Sequence, residues 1–524
     1  MTGAASVGAG LAAARDARAI RPGERIHVLG IAGAGASAAA RLAHWAGADA
    51  SGCDPGGPSP YTTALADDGL SMAWEHSPLH VDGPGAVPPD RLAVTKALTA
   101  IAPDHPELEA ARRHGIPLEP WQQVVADAAA GRLLVGVAGT HGKSTTSGWL
   151  VHVLAAAGLD PTAFVGALMR EAGDTPSTAH RGRPDAPFVV EADEYAGNFD
   201  PYRPALALLT SAEWDHPDVF ADEDAVVDAF TGWIRLMRPG PGGTSAPVLV
   251  ANVGDPGVRR VAERLADWPG VLDAVAVAEI EPSRAAGYAQ GIAEEFRTGA
   301  GPARVLLGRV TASGSDGTTV EIGGLDPLRG PVAVELPTAG AHNVSNALAV
   351  AAAARRLGLD PGRIAAGLVS FAGVARRLER KGEVGGVVVY DDYGHHPTAI
   401  RATLAAIRQR EPGRRVWAVY EPLTFHRTAA LLPQFADVLA EADAVAVADI
   451  WAGRDPDTTI ASAAQLAEAV AARRPEIPVA APGSVEATGR WLAGEVRPGD
   501  AVLVMGGGRS YRIAEVLLAE LASR

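Results

Sequence analysis

Leu133-Leu134-Val135-Gly136-Val137-Ala138-Gly139-Thr140-His141-Gly142-Lys143-Ser144-Thr145 is the stretch that decides the fold. Six small or apolar residues run into two glycines and a Lys-Ser-Thr. Trp149, Leu150, Val153 and Leu154 then follow at helical spacing. That pattern is a buried strand turning into a helix through a loop built to hold phosphate. The glycines let backbone N–H groups turn inward, and the positive end of the helix dipole favours an anion. Lys143 can reach the β- and γ-phosphates of a nucleotide, and the hydroxyl of Ser144 or Thr145 can ligate Mg²⁺. The competing reading, an ordinary glycine-rich turn, leaves the lysine and the two hydroxyls without a purpose.

Two further apolar runs, residues 26–29 and 501–505, also open into glycine-rich turns and helix-like stretches. Three such starts in 524 residues predict three parallel α/β sheets rather than one. The expected division is a tail over 1–20, a Rossmann-like domain over 21–130, a central P-loop-type ATP-binding domain over 131–370, and a second Rossmann-like domain over 371–524. A helix is expected across 107–131, and short β pieces in a glycine- and proline-rich part of the central domain between about 240 and 335.

Composition narrows the function classes. The hydrophobic fraction of 47% and charged fraction of 20% suit a soluble globular chain. A net charge of −15 argues against nucleic acid or an anionic membrane as partner. The single cysteine, Cys53, excludes an intramolecular disulfide, and no apolar run reaches the length of a membrane span. Residues 4–14 lack the basic start of a signal peptide, so a cytoplasmic protein is expected.

A nucleotide site needs a cation ligand facing the phosphate loop. Glu191-Ala192-Asp193-Glu194 closes the apolar run 188–190, and Asp215-His216 follows the run 205–210. Both clusters fall at the C-terminal edge of a parallel sheet, where such folds bind ligands. Hard Mg²⁺ prefers these oxygen donors. A lone acidic cluster is more often a solvated loop, and it is the pairing of two that points to a site.

Taken in order, Gly139–Thr145, Glu191–Glu194, Asp215-His216, Gly340-Ala341-His342-Asn343-Val344-Ser345-Asn346, Gly373-Val374-Ala375-Arg376-Arg377-Leu378-Glu379 and Asp391-Asp392-Tyr393-Gly394-His395-His396-Pro397 resemble the motif series of the Mur ligase family. Gly30-Ile31-Ala32-Gly33-Ala34-Gly35-Ala36-Ser37, Ser51-Gly52-Cys53-Asp54 and Thr99-Ala100-Ile101 add a similarity to the alanine-adding branch of that family. The resemblance implies ATP-dependent joining of an amino acid, L-alanine first, to the carboxylate of UDP-N-acetylmuramate through an acyl phosphate. That reaction belongs to peptidoglycan precursor synthesis.

By the same resemblance, Gly139, Thr140, His141, Gly142, Lys143, Ser144 and Thr145 bind ATP, together with His342, Asn343, Asn346, Arg377 (alone or with Arg376) and Asp391 at the ribose. Ser144 or Thr145, with Glu191 and His216, holds Mg²⁺. Tyr393, His395 and Arg427 frame the amino acid, and Lys143, Glu191, His216, Arg377 and His395 carry the catalysis. Gly33, Ala34, Gly35 and Ser37 meet the UDP diphosphate, and Asp54 and His76 the uridine, with Thr99 also in that site. A monomer or homodimer is implied.

Four positions leave the family pattern: Ser211, Glu421, Leu423 and Arg509. Three other readings stay open: a ligase that joins a preformed tripeptide to the same sugar acid, toward which Glu194-Tyr195 and Trp214–Phe220 lean, a nucleotide-binding relative without turnover, motivated by Ser211 and Glu421, and a nicotinamide oxidoreductase built on residues 30–35.

Overall fold

The computed structural model describes residues 7–84, 87–169, 175–243, 245–453, 455 and 457–524. The first sheet holds β1 (Arg25–Leu29), β2 (Asp49–Cys53), β3 (Ser71–Ala73), β4 (Arg91–Val94) and β5 (Leu118–Pro120), in the order β3-β2-β1-β4-β5. All four pairings are parallel. The order reverses between β1 and β4, which opens a crevice at their C-terminal ends, above the helix Ala34–Trp45.

The second sheet holds β6 (Leu134–Ala138), β7 (Thr162–Met169), β8 (Ser177–His180), β9 (Phe188–Ala192), β10 (Leu206–Leu209), β11 (Val248–Asn252), β12 (Val271–Val277), β13 (Arg304–Gly314), β14 (Gly317–Asp326) and β15 (Gly330–Leu336). Its order is β15-β14-β13-β12-β11-β10-β6-β9-β7-β8. The strand of the phosphate loop, β6, lies between β10 and β9, so the three loops that carry the phosphate-binding and acidic motifs leave the sheet side by side. The helices Lys143–Ala156 and Ala341–Arg356 cover one face, where Trp149, Leu150, Leu348 and Val350 are fully buried. The glycine-rich part of this region is more regular than its composition suggests. β13, β14 and β15 form an antiparallel arm that continues the parallel sheet.

The third sheet comprises β16 (Glu379–Val384), β17 (Val387–Asp392), β18 (Arg415–Glu421), β19 (Ala444–Ala448), β20 (Val479–Gly483) and β21 (Asp500–Gly506), in the order β16-β17-β21-β18-β19-β20. Near-continuous runs such as Val387–Tyr390 and Ala444–Ala448 are buried along their length, as expected for parallel strands covered on both faces. No helix among the described residues is long and apolar enough to cross a membrane.

Two expectations are corrected. The stretch 107–131 is two helices, Pro106–Arg113 and Trp121–Ala128, separated by β5. Gly115 in the left-handed region (φ +66°), followed by Pro117, ends the first helix. The leading segment expected as a tail is anchored to the first domain at several points, though most of its residues are exposed, and its first six residues lie outside the described ones. Leu11 lies against the core of the first sheet and Ile20 is buried. Arg15 pairs with Glu119 (2.9 Å) and Asp127 (2.7 Å), which also hold the fully buried Arg91. Sequence periodicity carried no sign of this, because the attachment is a charge network contributed by four residues far apart in the chain or on different elements.

Candidate active site

The phosphate loop is fixed from beneath by the segment after β10. Thr140 N–H donates to the Ser211 carbonyl (3.1 Å), Thr140 Oγ1 donates to the Glu213 carbonyl (3.0 Å), and His141 N–H donates to Ser211 Oγ (2.8 Å). Ser211, a departure from the family pattern, thus keeps a hydroxyl acceptor under the loop. Gly139 has φ +136°, and a Cβ there would lie 2.2 Å from Thr210 Oγ1, so only glycine fits. Gly142, at φ +81°, starts the helix and backs onto Asn346.

From this loop Lys143 Nζ reaches Glu194 Oε2 at 2.8 Å and Asp193 Oδ1 at 3.3 Å. Burial opposes the charge of Lys143, but Glu194 and Asp193 outweigh it and hold the ammonium above the ordinary lysine range. Burial also pushes Glu194 up to about 7, against the pull of Lys143. Ser144 Oγ donates to Glu191 Oε1 (3.0 Å), whose other oxygen accepts from Gly166 N–H (2.6 Å). Arg377 Nη2, arriving from the segment before β16, donates to the same Ser144 Oγ (2.9 Å). One hydroxyl therefore joins the phosphate loop, the acidic strand β9 and the third domain.

Apart from Glu194, these groups line one cleft of about 810 Å³ with Thr145, His342, Asn343, Asn346, His216, Tyr393 and His395. Asn346 Nδ2 donates to Asn343 Oδ1 (3.2 Å) on the first turn of the helix Ala341–Arg356. The Tyr393 ring lies 5.0 Å from the guanidinium carbons of both Arg376 and Arg377. His395 Nδ1 is 2.9 Å from the Tyr393 carbonyl. A carbonyl only accepts, so Nδ1 carries the hydrogen and Nε2 keeps a lone pair. Burial, then the charge of Arg427, hold this imidazole well below its ordinary pKa and therefore neutral.

Several expected residues stand elsewhere. Asp391 is fully buried and pairs with Arg376 (3.1 Å), and burial pushes its carboxyl up to about 6. The carboxylate that lines the cleft is that of Asp392, held by Leu378 N–H and Gly394 N–H (both 2.7 Å). Arg427 is buried beneath the cleft, donating to Asp215 Oδ1 (2.8 Å) and contacting His216 Nδ1 (3.0 Å). Burial would raise Asp215, but His216 and Arg427 outweigh it and hold its carboxyl well below the usual range. Since an arginine only donates, a neutral His216 in this arrangement accepts at Nδ1 and carries its hydrogen on Nε2. His216, Asp193 and Glu194 nevertheless bring ligand atoms within 4.8 Å of one another.

In the first domain, Gly33 starts the helix Ala34–Trp45 with no side-chain cap, leaving its backbone N–H groups facing the crevice. Gly35 lies so near Trp121 that a Cβ would fall 2.2 Å from the ring. Ser37 is turned away from the crevice: its hydroxyl is buried and donates to the Ala34 carbonyl (3.0 Å). Asp54 supports the loop through Ala32 N–H (3.2 Å) and Gly56 N–H (2.8 Å). Thr99 Oγ1 accepts from Gly8 N–H (2.7 Å) and donates to the Lys96 carbonyl (2.8 Å), so the leading segment occupies it. His76 Nδ1 lies 3.2 Å from Cys53 Sγ, in a polar cluster beside the C-terminal ends of β1 and β2.

Sequence reading missed Glu213, which meets His141 (3.0 Å) and Thr398 (2.6 Å) and so ties the phosphate loop to the third domain. It also missed Lys96, whose Nζ donates to the Ala196 carbonyl (2.7 Å) across the first two domains. Neither residue sits in a motif, and only the fold brings their partners close.

Comparison with known proteins agrees with this geometry. Residues 25–132 match the family described as Mur ligase family, catalytic domain, and residues 376–508 match Mur ligase, glutamate ligase domain. The UDP-N-acetylmuramate–L-alanine ligase of Frankia casuarinae is 36% identical over 95% of this chain and 98% of its own length. Among solved structures, the UDP-N-acetylmuramate-alanine ligase of Thermotoga maritima superposes with a TM-score of 0.71 at 21% identity, covering 95% of this chain and 100% of that one. A murein peptide ligase from Psychrobacter arcticus superposes with a TM-score of 0.67 at 23% identity, over 96% of this chain and 99% of that one. With three sheets meeting around one phosphate loop, and a relative matched nearly end to end, the chain belongs to the Mur ligase family.

Proposed function

We propose that the protein joins L-alanine to the carboxylate of UDP-N-acetylmuramate at the expense of ATP, in the cytoplasm, where both nucleotides are made. The observation that carries this reading is the meeting at Ser144, where Lys143's loop, Glu191 and Arg377 converge from two domains. A carboxylate is a poor acyl donor until an oxygen of it is phosphorylated. In the first step that oxygen attacks the γ-phosphorus of ATP and ADP leaves. In the second the amine of alanine attacks the acyl carbon and phosphate leaves, with one amine proton lost.

The chain's part is positioning and charge stabilisation. Loop N–H groups cradle the β- and γ-phosphates, and Lys143 and Arg377 flank the phosphoryl group in transfer. His342, Asn343 and Asn346 face the base, with Asp392 rather than Asp391 beside the ribose. The open N-terminus of the helix Ala34–Trp45 takes the diphosphate of the sugar nucleotide. His395, neutral with Nε2 unprotonated, accepts a hydrogen bond from the incoming amine and holds it in its nucleophilic form. Arg427 acts through Asp215 rather than on the amino acid itself.

The donor set suits Mg²⁺: the Ser144 hydroxyl and the Glu191 carboxylate are hard oxygens, Thr145 and Asp193 line the same cleft, and His216 would join once Arg427 releases Nδ1. When bound, Mg²⁺ neutralises charge on the phosphates.

The test is phosphate release and product mass with UDP-N-acetylmuramate, ATP and one acceptor at a time: L-alanine, glycine, L-serine, or the tripeptide L-alanyl-γ-D-glutamyl-meso-diaminopimelate. Amide product with alanine is expected. Product with the tripeptide alone would reassign the acceptor, and nucleotide binding without phosphate release for any acceptor would remove the ligase reading.

A further inference from the structure

Four polar side chains beside the C-terminal ends of β1 and β2 take no part in the chemistry above. His27 on β1, Cys53 at the end of β2, His80 on the short helix Leu79–Asp82 and Glu107 on the helix Pro106–Arg113 bring ligand atoms within 4.8 Å of one another. His27, Cys53 and Glu107 are buried, and His80 is half-buried, leaving a route from solvent. We propose that these four side chains form a structural site for one Zn²⁺ ion that ties four separate elements of the first domain together.

The spacing carries the inference. Zinc bonds of 2.0–2.3 Å to nitrogen, oxygen and sulfur give a tetrahedron whose edges are about 3.3–3.8 Å. His27 Nε2 lies 3.4 Å from Cys53 Sγ and 3.6 Å from Glu107 Oε2. Cys53 Sγ lies 3.3 and 3.4 Å from the two Glu107 oxygens, and His80 Nδ1 lies 3.2 Å from Glu107 Oε1. His27 Nε2, Cys53 Sγ and Glu107 Oε2 thus stand at the mutual spacing of three vertices of a zinc shell, and His80 brings the fourth ligand atom within 4.8 Å of them.

The donor chemistry agrees. One thiolate, one carboxylate and two neutral imidazoles compensate a divalent charge, and a thiolate with imidazoles selects zinc over magnesium. His27 Nδ1 is 2.9 Å from Ser51 Oγ, the outer hydrogen bond that orients metal-bound imidazoles and leaves Nε2 for the ion. His76 Nδ1, 3.5 Å from Glu107 Oε1, flanks the site, and Ser77 N–H (2.7 Å) fixes that same oxygen. Binding exchanges the Cys53 thiol proton for the cation, and the proton leaves to solvent.

The test is metal analysis of the full chain after equilibration with Zn²⁺ and gel filtration, with Co²⁺ as a spectroscopic probe. One Zn²⁺ per chain is expected, and the Co²⁺ form should show a thiolate-to-cobalt charge-transfer band that Cys53→Ser loses. His80→Asn, at the half-exposed rim and less disturbing to the core, should weaken Zn²⁺ retention at least tenfold while its circular dichroism matches the parent's. Retention below 0.1 Zn²⁺ per chain, or a charge-transfer band that survives in Cys53→Ser, would overturn the proposal. Because the readout is metal content and spectrum, it stands apart from whether the protein ligates alanine.

Discussion

Replacing Lys143 by Met separates what this lysine does for the fold from what it does for the reaction. Its ammonium sits between Glu194 (2.8 Å) and Asp193 (3.3 Å) in a buried cleft. Removing one partner from a buried charge cluster typically costs about 3–5 kcal/mol, because the remaining charge is left uncompensated. Here Glu194, pushed up to about 7, can discharge itself by taking a proton. The cost is about 1.4 kcal/mol for each unit by which the solution pH exceeds that value, so Lys143→Met should lose more thermal stability at pH 8.5 than at pH 6. Turnover should fall by at least about 10³, or roughly 4 kcal/mol of transition-state stabilisation, at either pH. Adding Glu194→Gln removes the stranded carboxylate and should restore stability at pH 8.5 without restoring turnover. Scanning calorimetry and a coupled phosphate-release assay on parent, single and double variants read both quantities. A double variant that recovers more than a tenth of the parent rate would refute the catalytic role and leave Lys143 as a structural counter-ion.

Arg377→Ala removes the donor that crosses from the third domain to Ser144, and kcat should drop by about 10²–10³ with affinity for the sugar nucleotide unchanged. Rapid-mix kinetics beside calorimetric UDP-N-acetylmuramate binding would check it, and a loss confined to KM would count against a transition-state contact. Glu421 is buried beside Gly506 and Gly508, and burial pushes its carboxyl up to about 7 from an ordinary 4.5. The folded protein holds that proton more tightly than the unfolded chain, so its contribution is full below about 4.5 and is lost as pH rises through about 7. Glu421→Gln should therefore stabilise the protein by up to roughly 3 kcal/mol at pH 8 compared with pH 4.5, read by denaturant melts at the two pH values. An equal effect at both would show that the carboxylate is not ionising there.

Much of the site was legible because its parts are local. A strand, a glycine-bearing loop and a helix are contiguous, so Gly139–Thr145 declared both the fold and the phosphate chemistry. Tertiary choices were less visible. Asp391 and Asp392 are adjacent carboxylates on one strand, and alternation sends one into the protein and one into the cleft; nothing in the pair itself says which. Arg427 has the type and place of a substrate contact, yet Asp215 captures it, because a buried aspartate needs a cation more than an open cleft does. Ser37 and Thr99 were taken up by neighbours, a backbone carbonyl and the leading segment. That segment reads as featureless because Arg15 and Arg18 find their carboxylates, Glu119, Asp127 and Glu24, by folding rather than by spacing.

The central claim is that ATP phosphorylates the sugar acid's own carboxylate in the cleft between Lys143 and Arg377. Supplying UDP-N-acetylmuramate with ¹⁸O in that carboxylate, along with ATP and L-alanine, and weighing the released phosphate by mass spectrometry tests it directly. One ¹⁸O per phosphate is expected, since the bridging oxygen of an acyl phosphate leaves with phosphorus when the amine attacks. Unlabelled phosphate accompanying amide formation would contradict it.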